Sequence, residues 1–319
     1  MTGVVVLGWS ATTQAQSTAA LNYPSGPIKI VNPYPPGGGT DILSRAIGQK
    51  LSEAFKQPVY VDNKSGANGT IGTALVAKAA PDGLTLLVVP AGFAANPWLY
   101  QNLRYDQARD LSAVTLLASG PLVLVTHPDL NVKSVKELIE LARARPGALS
   151  VGSAGNGSLP HLSAELFNLM AGTKMLHVAY KGAGPAVNDL LAGVVQVYFM
   201  NVLQALPLIK AGKLKALGVT SMERTSIAPD LPTVSEVLPG FDMNNWYGML
   251  APSGTPKEVI QKIRQEIALI LKQPALKEKL DNEGMTVVGN TPDQFDEILK
   301  RESDKYSKII TSAGIKNSM

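Results

Sequence analysis

The chain contains no cysteine, which excludes disulfides, thiol nucleophiles and thiolate metal sites together. Histidine is almost as scarce. His127, His161 and His177 are the only three, and no His-x-x-x-His spacing joins them, so neither a zinc centre nor any other metal or cofactor is expected. Charged residues make up 17% of the 319 positions. The net charge of +4 is scattered rather than gathered into a basic stripe, and this leaves no footprint for nucleic acid. Long apolar runs are missing too. None reaches the roughly 18 residues a membrane helix needs, so the mature chain is expected to be soluble.

What is present is core material. Hydrophobic residues account for 45% of the chain, the share of a well-folded globular protein, and the length favours two domains over one. Residues 1–21 read as a truncated signal peptide or a disordered tail. Val4-Val5-Val6-Leu7-Gly8-Trp9 is a short apolar run, and Thr13-Gln14-Ala15 or Ser17-Thr18-Ala19 offers small-residue cleavage, but no Lys or Arg precedes Lys29. A trimmed export signal is the expectation, because no other reading accounts for the apolar run.

Two stretches far apart in the chain repeat one design, a β-type run that breaks into a glycine-rich loop and opens a helix. Residues 28–34 lead into Pro35-Pro36-Gly37-Gly38-Gly39-Thr40-Asp41, and residues 149–154 lead into Gly155-Asn156-Gly157-Ser158. Glycine leaves the backbone bare, and a helix start presents N–H groups without partners at its positive dipole end. Each stretch can hold an anion. The pair predicts a cleft that grips a carboxylate.

Strands and helices alternate with short turns, the pattern of an α/β protein whose sheets are covered by helices. Strands are expected at residues 29–34, 58–61, 84–89, 111–117, 122–125, 175–179, 194–200 and 214–219. Helices are expected at 40–55, 71–80, 134–144, 160–170, 185–191, 256–271 and 292–310. The first carries Ile42, Leu43, Ala46, Ile47, Leu51 and Ala54 on one face. Capping boxes are expected at Ser134/Glu137, Thr255/Glu258 and Thr291/Gln294. Crossings near residues 118 and 244 would divide the chain into lobe I, residues 22–118 plus 245–319, and lobe II, residues 119–244.

Several motifs fail a stricter reading. Gly37-Gly38-Gly39-Thr40 lacks the Gly-Lys-Ser/Thr end of a P-loop, and Ile42 and Pro160 occupy the third-glycine positions of a dinucleotide fingerprint. Val151-Gly152-Ser153-Ala154-Gly155 falls one glycine short of a nucleophile elbow, and no base is marked out for Ser153 or Ser158, which makes a serine hydrolase the weaker reading. His161 reads as a capping or packing residue rather than a general base. Asp41 suits the helix dipole and the loop amides, with Arg45 as its i, i+4 partner. Asn68-Gly69-Thr70 and Asn156-Gly157-Ser158 match glycosylation sequons but read as turns. Trp246-Tyr247 and Tyr180-Lys181-Gly182 stand near the lobe borders, where cleft wall and core are equally open.

From about Tyr23 to Leu299 the chain resembles the solute receptors of tripartite tricarboxylate transporters, the Bordetella uptake gene proteins. The resemblance rests on Tyr23-Pro24 with Pro27-Ile28; Pro35-Pro36-Gly37-Gly38 with Asp41 and Arg45; Asn63 with Gly66-Ala67 and Ile71-Gly72; and Pro81-Asp82-Gly83 with Thr85-Leu86. It continues through Ser153-Ala154-Gly155-Asn156-Gly157 with His161-Leu162; Tyr180-Lys181-Gly182; Leu231-Pro232-Thr233; Trp246-Tyr247-Gly248; and Ala251-Pro252 with Gly254-Thr255-Pro256. It implies a two-lobe periplasmic binding protein of type II-like, Venus-flytrap form, with a central cleft that closes on a carboxylate and delivers it to integral-membrane permease subunits.

Carried over from the family, Pro36, Gly37, Gly38, Gly39, Thr40 and Asp41 face Ser153, Ala154, Gly155, Asn156, Gly157 and Ser158 around the proximal carboxylate. Tyr34, Ala91, Gly92, Phe93, His161, Tyr180, Lys181, Met200 and Asn201 become contacts for the rest of the ligand. The sequence departs from the family at Ala179 and Ser65, where proline is usual, and at Met200, where many relatives have aspartate. An apolar Met200 would favour a less polar distal group. The expected protein is therefore a monomeric, non-catalytic periplasmic receptor for a di- or tricarboxylate or a phthalate-type aromatic acid, with a ligand sensor for a membrane kinase as the alternative.

Overall fold

The computed structural model describes residues 22–282 and 284–315, so the expected signal segment at residues 1–21 lies outside the described residues. The first half alternates β1 (Ile28–Asn32), α1 (Gly39–Phe55), β2 (Val59–Asn63), α2 (Thr70–Ala77) and β3 (Thr85–Pro90), followed by the one-turn α3 (Asn96–Leu99). β1 lies parallel to both β2 and β3. The run Leu86-Leu87-Val88-Val89 is wholly buried, as a strand covered on both faces must be. Covering that sheet takes one stripe of each helix. Leu43, Ile47 and Leu51 of α1 are buried, whereas Ile42, expected on that stripe, is exposed.

β4 (Leu111–Thr126) carries the chain into the second half. There α4 (Val135–Ala144), β5 (Ser150–Ser153), α5 (Leu159–Ala171), β6 (Leu176–Ala179), α6 (Ala183–Leu191), β7 (Val197–Asn201), α7 (Val202–Lys210) and β8 (Lys215–Val219) follow. β9 (Asn244–Pro252) then leads to α8 (Lys257–Leu271), α9 (Pro274–Asn282), β10 (Thr286–Val287) and α10 (Pro292–Ser312). The strand order is β2-β1-β3-β9-β4-β7-β5-β6, with β8 and β10 also pairing β4. The fold is a two-lobe α/β binding-protein architecture.

Two strands hold the halves together. Residues 111–121 of β4 pair antiparallel with β9, and residues 122–126 pair with β7. The expected pair of strands at 111–117 and 122–125 is thus one strand that changes partners. Pro121 sits where pairing passes from β9 to β7. A side chain at Gly120 would meet the Gly284 carbonyl oxygen at 2.2 Å. Close packing is what this glycine supplies.

The halves also share a core. Phe167, Phe199 and Phe241 interlock edge-on and stacked, and α10 adds Phe295, Tyr306, Ile309 and Ile310 to the same buried cluster. α10 packs on β4, on the turn Ala91–Ala95 and on α5, so one helix backs both halves.

The helix starts sort the expected caps. Thr291 and Gln294 make a full capping box. Ser134 Oγ accepts the Glu137 N–H, but the Glu137 carboxylate turns to the Lys133 amide instead of closing the box. The Thr255 box does not form, because Thr255 Oγ donates to the Pro252 carbonyl at 2.7 Å and α8 begins two residues later. Thr233 and Glu236 make a box the sequence reading passed over.

Phe295 is fully buried and meets Trp246 edge-to-face with ring centroids 5.7 Å apart. Replacing it with alanine (F295A) is expected to lower the unfolding free energy by about 3–5 kcal/mol. Urea denaturation followed by tryptophan fluorescence measures this, and an unchanged midpoint would contradict the packing role.

Candidate functional site

A cavity of about 530 Å³ opens between the halves. Four helices start at its wall: α1 after Gly38, α5 after Ser158, α6 after Gly182 and α7 after Asn201. At none of the four does a side chain cap the first turn. The leading N–H groups of a helix have no partner within it, so these starts leave donors and positive dipole ends directed at one space.

The first loop is held from behind. Asp41 accepts the Gly37 N–H at 3.0 Å and the Asn63 side-chain amide at 2.9 Å, and it pairs with Arg45 at 3.0 Å. Asn63 and Asn32 both donate to the Tyr34 carbonyl oxygen at 3.2 Å. Burial on its own would raise the Asp41 pKa, but hydrogen bonds from Arg45, Gly37 and Asn63, with the Arg45 charge, bring it down to about 2. Asp41 is therefore a strut. It shapes the Pro35–Gly38 turn without facing the cavity.

Gly39 is required by close approach. A side chain there would come within 2.1 Å of the Tyr247 hydroxyl, and Tyr247 with Asn245 forms the cavity floor. The Asn245 side chain donates to Tyr247 Oη at 3.3 Å and reaches Asn201 Oδ1 at 3.5 Å, so β9 and β7 meet at that floor.

Of the expected contacts, Tyr34, Pro36, Gly37, Gly38, Gly39, Thr40, Gly92, Ala154, Ser158, Lys181 and Asn201 line the cavity. Others are turned away. Ala91 and Phe93 are buried in the core. Met200 is buried in the core of the second half with Val123, Val125 and Tyr198 and does not line the cavity, whereas its neighbour Asn201 does. Tyr180 donates to Asp189 at 2.6 Å. Ser153, Gly155, Asn156, Gly157 and His161 stand behind the lining, Ser153 and His161 buried.

The cavity also takes in Gln204, Asn245 and residues 183–185 at the start of α6, none expected as site residues, together with Tyr247 and Gly182, for which cleft wall and core were both open. Among the described lining residues, Lys181 alone carries a charge. Gln204 lies in α7, a helix the sequence did not lead one to expect, and no glycine marks its start.

Ser153 does have a histidine beside it. His177 Nε2 stands 2.6 Å from Ser153 Oγ, which the sequence did not reveal because His177 lies on the neighbouring strand. The serine is nonetheless fully buried and makes its other bonds to Gly155.

Residues 43–315 of the chain match the family model for the tripartite tricarboxylate transporter family receptor. The chain belongs to that family. BugT of Bordetella pertussis is 37% identical over 305 residues, 95% of this chain and 94% of BugT. The structure of Rpa4515 from R. palustris with adipate superposes with a TM-score of 0.83 at 35% identity, covering 92% of this chain and 98% of that one. MatC from Rhodopseudomonas palustris with bound malate gives 0.80 at 30%, covering 90% and 100%. The receptor is a non-enzymatic solute-binding protein. Among its described residues no helix is long and apolar enough to cross a membrane.

Acidification tests the struts. His177 is held down from 6.5 to about 3 by burial and by the neighbouring His161. Between those values the unfolded chain binds a proton that the native one refuses, so stability present above 6.5 is lost as the pH falls towards 3. Asp41 adds a further loss as the pH falls from 3.8 towards 2. Melting temperatures of the wild type are expected to drop across the first window and those of His177→Gln to drop less. At pH 7, Asp41→Ala is expected to lower the unfolding free energy by about 1.5–3 kcal/mol. Parallel pH curves for wild type and His177→Gln would contradict the assignment.

Proposed function

We propose that the receptor acts in the periplasm, captures a small organic dicarboxylate between its two halves, and passes it to the membrane permease subunits of a tripartite transporter. One carboxylate sits between the α1 and α5 starts. The other lies towards Lys181, Gln204 and the α6 start. The observation that carries this reading is the convergence of four uncapped helix starts on a cavity whose single lining charge is positive. Relatives solved with adipate and with malate support the same class.

Magnitudes favour joint action of the two halves. One helix start contributes about 0.3–2 kcal/mol to holding an anion, whereas micromolar affinity needs about 8 kcal/mol. Several starts, Lys181 and burial of the ligand body must act together, so binding is coupled to closure of the halves.

Titration calorimetry with adipate, malate, phthalate and hexanoate tests the proposal. At least one diacid is expected to bind at micromolar concentration and more tightly than hexanoate. Lys181→Ala is expected to weaken the diacid about tenfold or more while leaving hexanoate nearly unchanged. Silence with all three diacids would overturn the proposal.

A further inference from the structure

Two histidines lie beneath the second glycine loop. His161 on α5 and His177 on β6 stack with ring centroids 3.7 Å apart and planes 12° from parallel. Neither lines the cavity. Each ring holds one end of the loop. His177 Nε2 meets Ser153 Oγ at 2.6 Å where β5 ends. His161 Nδ1 accepts the Gly157 N–H at 3.0 Å just before α5 begins. That bond leaves the imidazole proton on His161 Nε2, which faces Glu165 at 3.6 Å.

The loop closes around these anchors. Ser153 Oγ takes the Gly155 N–H at 3.1 Å, and Ser158 Oγ donates to the Gly155 carbonyl oxygen at 2.7 Å. The Gly155 and Gly157 amides are thereby spent inside the loop, as is the Ser158 amide on the Gly155 carbonyl oxygen, while the α5 start, uncapped by any side chain, faces the cavity. A carboxylate with two oxygens gains only from donors fixed in the right direction, because orienting a loose loop on binding costs conformational entropy.

We propose that the stacked pair His161 and His177 positions the 153–158 loop, and that the Gly157-to-His161 bond fixes the direction in which the α5 start presents its N–H groups to the ligand carboxylate. This rests on the carboxylate-receptor reading of the cleft. Packing alone would need only a side chain of similar volume at position 161. Positioning needs an acceptor where Nδ1 stands. His161→Asn brings a side-chain oxygen close to that point, and His161→Leu fills the space without one.

The test uses ¹⁵N-labelled protein without added ligand, and then with acetate as a minimal carboxylate probe. In the wild type a through-bond coupling between the Gly157 amide nitrogen and His161 Nδ1 is expected, together with slow Gly157 amide exchange. His161→Leu is expected to speed that exchange about tenfold or more. His161→Asn should restore most of the protection. On adding acetate, the Leu159 amide should lose its response in the Leu variant and recover it in the Asn variant, while Gly39 and Thr40 respond in all three. No coupling in the wild type, or equal Gly157 protection in the Asn and Leu variants, would overturn the proposal. The coupling still decides it if the Leu variant proves too unstable to study. An acetate titration silent at both loops would count against the carboxylate reading, with the coupling and exchange left to judge the histidines separately.

Discussion

An α-helix cannot satisfy its own leading N–H groups, and this molecule sends four such helix ends to one cavity. Much of the surrounding structure follows from that constraint. Bare donors in a loop would collapse onto the nearest carbonyl unless something held the backbone away. The Asp41, Arg45 and Asn63 network does so on one side. On the other, Ser153, Ser158 and the two histidines hold the second loop. Both supports use polar groups that are themselves fully engaged, which keeps the remaining donors free for a guest.

The two supports differ in chemistry though they serve parallel loops. The first relies on an ion pair whose carboxylate is buried and whose guanidinium is half exposed. The second is built from two serine hydroxyls and a pair of stacked rings. A buried carboxylate so close to a site for an anion would oppose the guest by like-charge repulsion. Arg45 offsets this for Asp41, and the second loop avoids the difficulty by having no carboxylate in direct contact with its backbone.

The helix starts and the two glycine loops were legible in the sequence because they depend on local chemistry: bare backbone, proline in the first turn, apolar spacing behind it. The sheet was less so. β9 passed unread as a strand, since Asn244 and Asn245 open it and the aromatic pair after them fits a cleft wall or a core equally well. α7 was hidden by Pro207 in its interior. The inward turn of Met200 and the Ser153 to His177 contact depend on strand register, and register is set by partners distant in the chain. Asp41 was legible in its bracing role, which depends on a neighbour four residues away.

The two through-strands have a mechanical consequence. β4 and β9 are laddered to each other along the segment that joins the halves, and sliding one past the other would break every rung of that ladder at once. Bending or twisting the ribbon costs far less. Bending or twisting is thus the deformation this ribbon allows, and Asn245 and Tyr247, which line the cavity, are carried on it. A side chain on β9 at the cavity therefore shifts whenever the ribbon twists, which ties the shape of the site to the twist of the strands beneath it.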